Sequence, residues 1–217
     1  MFKDLVDELE KHVLNLSPES RYILGIAGIP GAGKSTLAET LVRNLNERFS
    51  PLAPAIVVPM DGFHRSNETL DEMKLLHLKG VPASFDAEQF VQLLQTLRSN
   101  TKSQIFAPVF DRGSESSIAG GIVIKPEHTL CVVEGNYLLL TDAPWAEGRQ
   151  CFDQVWFLDV DIETVYPRLL SRHMLVKSEQ DARVKIESTD LPNASLILSS
   201  KSRADKLIET DAEPASS

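Results

Sequence analysis

The chain has only two cysteines in 217 residues, Cys131 and Cys151. Two thiols cannot build the disulfide framework of a small secreted scaffold, and Cys131, inside an apolar run, reads as a small core residue. Long hydrophobic runs are missing too. No stretch approaches the roughly eighteen consecutive apolar residues of a spanning helix, and Met1 to Leu16 mixes acids with its apolar residues where a secretory leader would be purely apolar. Positive charge is scarce: 22 Lys and Arg stand against 31 Asp and Glu, a net charge of −9. That excludes bulk attraction to nucleic acid or to an anionic membrane and leaves room for a local basic site. There is no internal repeat and no low-complexity block before the polar tail 210–217, which reads as disordered. Together these absences predict a cytoplasmic chain with one domain over residues 1–209.

Against that plain background one stretch stands out, Gly28-Ile29-Pro30-Gly31-Ala32-Gly33-Lys34-Ser35, followed by Thr36. It fits G-x-x-x-x-G-K-[ST], the P-loop that cradles phosphates. Tyr22 to Ala27 before it reads as a buried strand. Leu37, Ala38, Leu41, Val42, Leu45 and Phe49 after it recur at helical spacing, so a helix opens at about Lys34. Glycines let backbone N–H groups approach phosphate oxygens, and the helix N-terminus adds partial positive charge. In this pattern Lys34 reaches the β- and γ-phosphates of ATP and the Ser35 hydroxyl ligates Mg²⁺.

The other elements fall around this stretch. Phe2 to Leu16 predicts an amphipathic helix, and Ala55 to Met60 a second buried strand running into Asp61-Gly62-Phe63-His64-Arg65. Ligands of open α/β sheets bind beyond the carboxyl ends of the strands, so Asp61 is a candidate to take or orient the proton of an acceptor hydroxyl. His64 and Arg65 follow it as acceptor contacts or as ordinary surface residues. Glu68 to Lys79 reads as a helix ended by Gly80 and Pro82. Asp86 reads as an N-cap with Gln89 at the capping-box position. Gln104 to Phe110 and Ile118 to Ile124 predict a hairpin that walls a substrate. Asp111 and Arg112 at its turn are acceptor candidates or plain turn residues. Thr129 to Gly135 is an apolar strand whose Glu134 sits where a carboxylate helps hold Mg²⁺, with Asn136 and Tyr137 beyond it as pocket lining. Val155 to Leu158 predicts another buried strand and Glu163 to Val176 a helix, on which Arg168 and Arg172 share a face. With His173, Lys177, Arg183 and Lys185 they form a basic stretch that reads as a lid over about 168–185, able to neutralise charge on a transferring phosphate. Ser195 to Ser199 reads as a late strand, with Asn193 on the loop before it, and Ala204 to Glu209 as an edge element.

Taken in order, Gly28–Ser35, Met60-Asp61-Gly62-Phe63-His64, Ala83-Ser84-Phe85-Asp86, Pro108-Val109-Phe110-Asp111-Arg112, Val133-Glu134-Gly135-Asn136-Tyr137, Arg168-Leu169-Leu170-Ser171-Arg172 and Asn193-Ala194 resemble the P-loop kinase superfamily of uridine kinase, phosphoribulokinase and bacterial pantothenate kinase. The nearest resemblance is to its fructokinase-like or nucleoside/nucleotide kinase-like branch. The resemblance implies an α/β P-loop NTPase fold of three layers, with a mostly parallel five-stranded sheet flanked by helices and a small hairpin and lid insertion. It also implies Asp61 as the catalytic aspartate, Glu134 as the Walker-B acid, Arg168 and Arg172 as lid arginines, Asn193 as a nucleotide-base contact and, often, a homodimer. The histidine- and arginine-rich continuation typical of uridine kinases is missing after Asp111. The expected activity is transfer of the γ-phosphate of ATP to an alcohol of a small metabolite, with Lys34, Asp61 and Arg172 catalytic. The alternative is an ATP-binding switch or regulatory ATPase. No Asn-Lys-x-Asp base-reading motif of a GTPase and no ABC signature loop is present.

Overall fold

The computed structural model describes residues 2–17, 19–52, 54–99, 102–111 and 113–209. Arg112 and the tail 210–217 lie outside the described residues. The chain opens with α1 (Phe2–Leu14), which buries Leu5, Val6 and Leu9. Strand β1 (Tyr22–Gly28) follows, buried at every position, and then α2 (Lys34–Arg48), which turns Ala38, Leu41 and Leu45 inward. Next come β2 (Ala55–Pro59), a 3₁₀ turn over Met60–Phe63, α3 (Asn67–Glu72), α4 (Ala87–Ser99), β3 (Ile105–Asp111) and β4 (Ser116–Ile124). The second half holds β5 (Leu130–Gly135), α5 (Trp145–Arg149), β6 (Gln154–Asp159), α6 (Ile162–Met174), α7 (Glu179–Lys185), α8 (Leu191–Ser199) and β7 (Lys206–Glu209).

Five strands form one sheet in the order β2-β5-β1-β6-β7, and every neighbouring pair is parallel. The central strands are covered on both faces, which is why β1 and β5 read as unbroken apolar runs with no alternation. Parallel pairing has a functional consequence: the carboxyl ends of β1, β2 and β5 all lie on one edge. The hairpin β3–β4 is a separate antiparallel sheet, and its register shifts between Ala107 and Val109, around Pro108, which has no N–H to give to the ladder. Among the described residues no helix is long and apolar enough to cross a membrane.

Two expected elements differ. The helix expected over Glu68 to Lys79 is only the six-residue α3, capped by Ser66. The chain leaves it at Lys74 in a left-handed conformation (φ 57°) and makes a 3₁₀ turn over Leu76–Leu78. Leu70 is fully buried while Met73 and Leu76 are 44% and 40% exposed. A short helix is sustained mainly by an apolar stripe packed on a core, and here a single residue supplies it. The strand expected over Ser195 to Ser199 is helix α8, entered through a π-helical turn at Ile186–Asp190. It buries Ala194 and Ile197, three residues apart, and leaves Leu196 exposed. The partner that β6 needs on that side is β7.

Candidate active site

The P-loop connects β1 to α2. Gly31 and Gly33 take φ values of 79° and 99°, a region that side chains disfavour. A Cβ added at Gly33 would meet nothing within 4 Å, so the loop is open to solvent at that glycine. One added at Gly31 would touch Leu169 of α6 at 3.2 Å. The Arg168 guanidinium, one residue earlier on the same helix, donates to the Gly31 carbonyl at 3.4 Å. The start of the expected lid therefore already rests on the cradle.

Lys34, at the first position of α2, is buried, and its ammonium donates to the Ile29 carbonyl at 3.0 Å. Burial pulls its pKa below the ordinary lysine value. The Glu134 and Asp61 carboxylates oppose that shift, and the Arg172 guanidinium adds to it. Three charges that the sequence singles out, Glu134, Asp61 and Arg172, thus lie near enough to Lys34 to act on it. The Ser35 hydroxyl donates to Glu134 Oε1 at 3.0 Å, joining the P-loop to the end of β5. A hydroxyl and a carboxylate in contact suit Mg²⁺, which takes few protein ligands and completes its shell with phosphate oxygens and water. No group of three or more His, Cys, Asp or Glu side chains forms a separate metal cluster among the described residues. Thr36 is exposed.

Close backbone approaches hold the acceptor side in place. A Cβ on Gly135 would lie 2.6 Å from Met60 Cβ, so glycine lets the Met60–Phe63 turn, with half-buried Asp61, sit against the end of β5. A Cβ on Gly62 would lie 2.2 Å from the Pro108 carbonyl oxygen, and the Ser117 hydroxyl donates to the Gly62 carbonyl. The hairpin is therefore packed directly on the Asp61 turn. His64 Nδ1 is 2.8 Å from the Asp61 carbonyl, and its ring lies 4.0 Å from that of Phe85 and 4.7 Å from that of Phe110. Arg65 points toward Asp86, 3.7 Å away, and Asp86 caps α4 through the Gln89 N–H at 3.1 Å.

Two expected placements are corrected, Tyr137 and Asn193, while Asp111 takes the turn position that is one of its two readings. Tyr137 does not line an open pocket: it is wholly buried, and its hydroxyl donates to the Gly80 carbonyl. Asn193 is not on a loop but in the first turn of α8, where its buried amide donates to the same Gly80 carbonyl at 3.1 Å. Asp111 closes the hairpin turn, accepting from the Ser114 hydroxyl at 2.6 Å and its N–H at 2.8 Å, contacts that hold its carboxyl below the ordinary aspartate value. Asn136 is half-buried at the carboxyl end of β5. The role of the Gly80 carbonyl and the pairing of His173 with Asp190, whose Nε2 and Oδ2 are 2.7 Å apart, escaped the sequence reading. The Lys-Gly-Val-Pro punctuation marks a turn at Gly80, but nothing local shows that its carbonyl points into the interior.

A protein of Schizosaccharomyces pombe named "Putative uridine kinase C227.14" is 33% identical over 199 residues, 88% of this chain and 84% of its own length. The chain belongs to the P-loop kinase family of the uridine and pantothenate kinases. A pantothenate kinase of Enterococcus faecalis is 33% identical to this kinase over 141 residues, 64% of this chain and 45% of its own length. The crystal structure of a "putative fructose transport system kinase" from Silicibacter sp. TM1040 matches it with a TM-score of 0.82 at 33% identity, over 94% of this chain and 98% of that one. No family model matches the chain.

Proposed function

We propose that this kinase moves the γ-phosphoryl group of ATP to an alcohol hydroxyl of a small metabolite held between the Asp61 turn and the P-loop. The observation that carries the reading is the contact of the Ser35 hydroxyl with Glu134 Oε1 at 3.0 Å, which joins the P-loop to the end of β5 beside buried Lys34, a lysine that Glu134, Asp61 and Arg172 all reach electrostatically. Backbone N–H groups of Gly31 to Lys34 and the Lys34 ammonium grip the β- and γ-phosphates. Ser35 and Glu134 would hold Mg²⁺, which would supply positive charge against the phosphates. Asp61 accepts a hydrogen bond from the acceptor hydroxyl, orients it and takes its proton as transfer proceeds. Arg168 and Arg172 approach the cradle from α6 and balance charge on the transferring group. Residues 168–185 serve as a lid on a single domain spanning 1–209.

The test is acceptor-dependent ADP release across a panel of sugars, nucleosides, hydroxy acids and sugar phosphates, with wild type and Asp61→Asn side by side. The variant is expected to bind ATP normally and to lose about 10²- to 10⁴-fold in kcat, the usual contribution of a positioned general base. Near-full turnover by the variant would remove Asp61 from the reaction. ADP release indifferent to every acceptor would favour an ATPase switch.

A further inference from the structure

Lys79 and Lys185 are cations that the phosphate cradle does not use. Lys79 lies in the segment between the Asp61 turn and α4, and its ammonium donates to Asn67 Oδ1 at 2.7 Å and to the Glu115 carbonyl at 2.8 Å. Lys185 ends α7 and donates to the Lys79 carbonyl at 2.7 Å. All three acceptors are neutral oxygens. Glu115 and Asp190 are the acids facing this pair, but Glu115 bonds Lys79 through its main chain, and the Asp190 carboxylate is taken by His173. Burial holds both lysines below their ordinary pKa, and Lys177 and Lys79 push Lys185 lower still, against the pull of Asp190 and Glu115. Half-buried ammonium groups without a bonded carboxylate are costly in a folded protein, and here they gather in a chain of net charge −9.

The position of the pair gives it a use. The Lys79 ammonium sits 5.2 Å from the centre of the Phe110 ring. That ring lies 4.7 Å from the His64 ring, which is anchored on the Asp61 carbonyl. Two ring contacts therefore separate the cation from the turn that presents Asp61. A molecule with a hydroxyl at Asp61 and a negative group at its other end would run past Phe110 to reach Lys79. Three donors fix the local backbone: Tyr137 and Asn193 hold the Gly80 carbonyl and Lys185 holds that of Lys79.

We propose that Lys79 and Lys185 form the subsite for an anionic group of the acceptor, so that the kinase phosphorylates a carboxylated or already phosphorylated alcohol in preference to a neutral sugar or nucleoside. This rests on the kinase reading above and narrows it to one acceptor class.

Matched acceptors test it: glycerol, glycerate and glycerol phosphate; ribose and ribose 5-phosphate; pantothenate and its neutral alcohol analogue. Turnover should be confined to charged members, and whether the carboxylates or the phosphates are used identifies the group. Lys79→Met and Lys185→Met should each raise the KM for that acceptor about 10- to 100-fold, the usual loss for a charge-assisted hydrogen bond, and Lys79→Met, outside the lid, should leave the KM for ATP little changed. Equal use of neutral partners, or a KM that neither variant moves, would overturn the proposal. A second readout does not depend on turnover. With the P-loop saturated by Mg²⁺ and a non-hydrolysable ATP analogue, calorimetric titration with inorganic sulfate should show binding to wild type that both variants lose. Absence of that binding in wild type, or its persistence in the variants, would sink the subsite. Sulfate binding of the expected pattern, with no acceptor consumed anywhere in the panel, would support the subsite and count against the kinase reading alone.

Discussion

Gly33 and Gly135 show how the same substitution acts through different physics at two positions in one site. At Gly33 an added methyl meets open space but must adopt φ 99°, which costs about 1–3 kcal/mol, and it would protrude where a phosphate has to lie. Gly33→Ala should therefore weaken ATP binding by more than its stability loss accounts for. At Gly135 the methyl collides with Met60 at 2.6 Å, an overpacking of about 1–3 kcal/mol that displaces the neighbouring Asp61 turn. Gly135→Ala should keep its affinity for ATP and lose kcat. Nucleotide titration, urea unfolding and steady-state kinetics on the two variants separate these outcomes, and equal effects on ATP affinity would contradict the assignment. The motif and the strand ends single out Lys34, Ser35, Asp61 and Glu134 in the sequence, and the fold joins Ser35 to Glu134 and sets both acids within electrostatic reach of Lys34. Tyr137 and Asn193 were misplaced because a buried hydroxyl or amide looks the same in sequence as one that faces a ligand.

At the scale of elements, the cap of α6 sets where Arg168 and Leu169 meet the cradle. Asp161 Oδ1 accepts from the Thr164 N–H at 2.6 Å. That contact first, and the Thr164 hydroxyl second, hold its carboxyl below the ordinary aspartate value. With the folded-state pKa lowered, the native state releases this proton more readily than the unfolded chain. The cap's stabilisation is therefore fully present above the unfolded value and is lost as pH falls through the folded one. Asp161→Ala should lower the urea midpoint at neutral pH and leave it closer to wild type in strong acid. A constant offset at all pH values would show that the charge of the cap is irrelevant. Strongly periodic helices such as α2 and α4 could be read directly. The segment after Asp61 and the run Ser195 to Ser199 could not, because a short apolar run suits a strand or a helix until its neighbours decide.

For the whole molecule, a ligand that binds only the folded chain must stabilise it. Mg²⁺ with ATP at a hundred times its Kd should add about 2.7 kcal/mol to unfolding, seen as a rise in Tm that increases with nucleotide concentration. Lys34→Ala should abolish most of that rise, and a full rise in the variant would mean that nucleotide binds elsewhere. The local chemistry of the chain by itself determined the parallel α/β core and the phosphate cradle. Both follow from which strands can be apolar on both faces and from where glycine, lysine and a hydroxyl must stand in a row. Only the tertiary structure decided what faces Asp61. The hairpin is seated on the Asp61 turn through the close approach of Pro108 to Gly62 and through the Ser117 hydroxyl. Contacts between residues far apart in the chain leave no periodic trace in it.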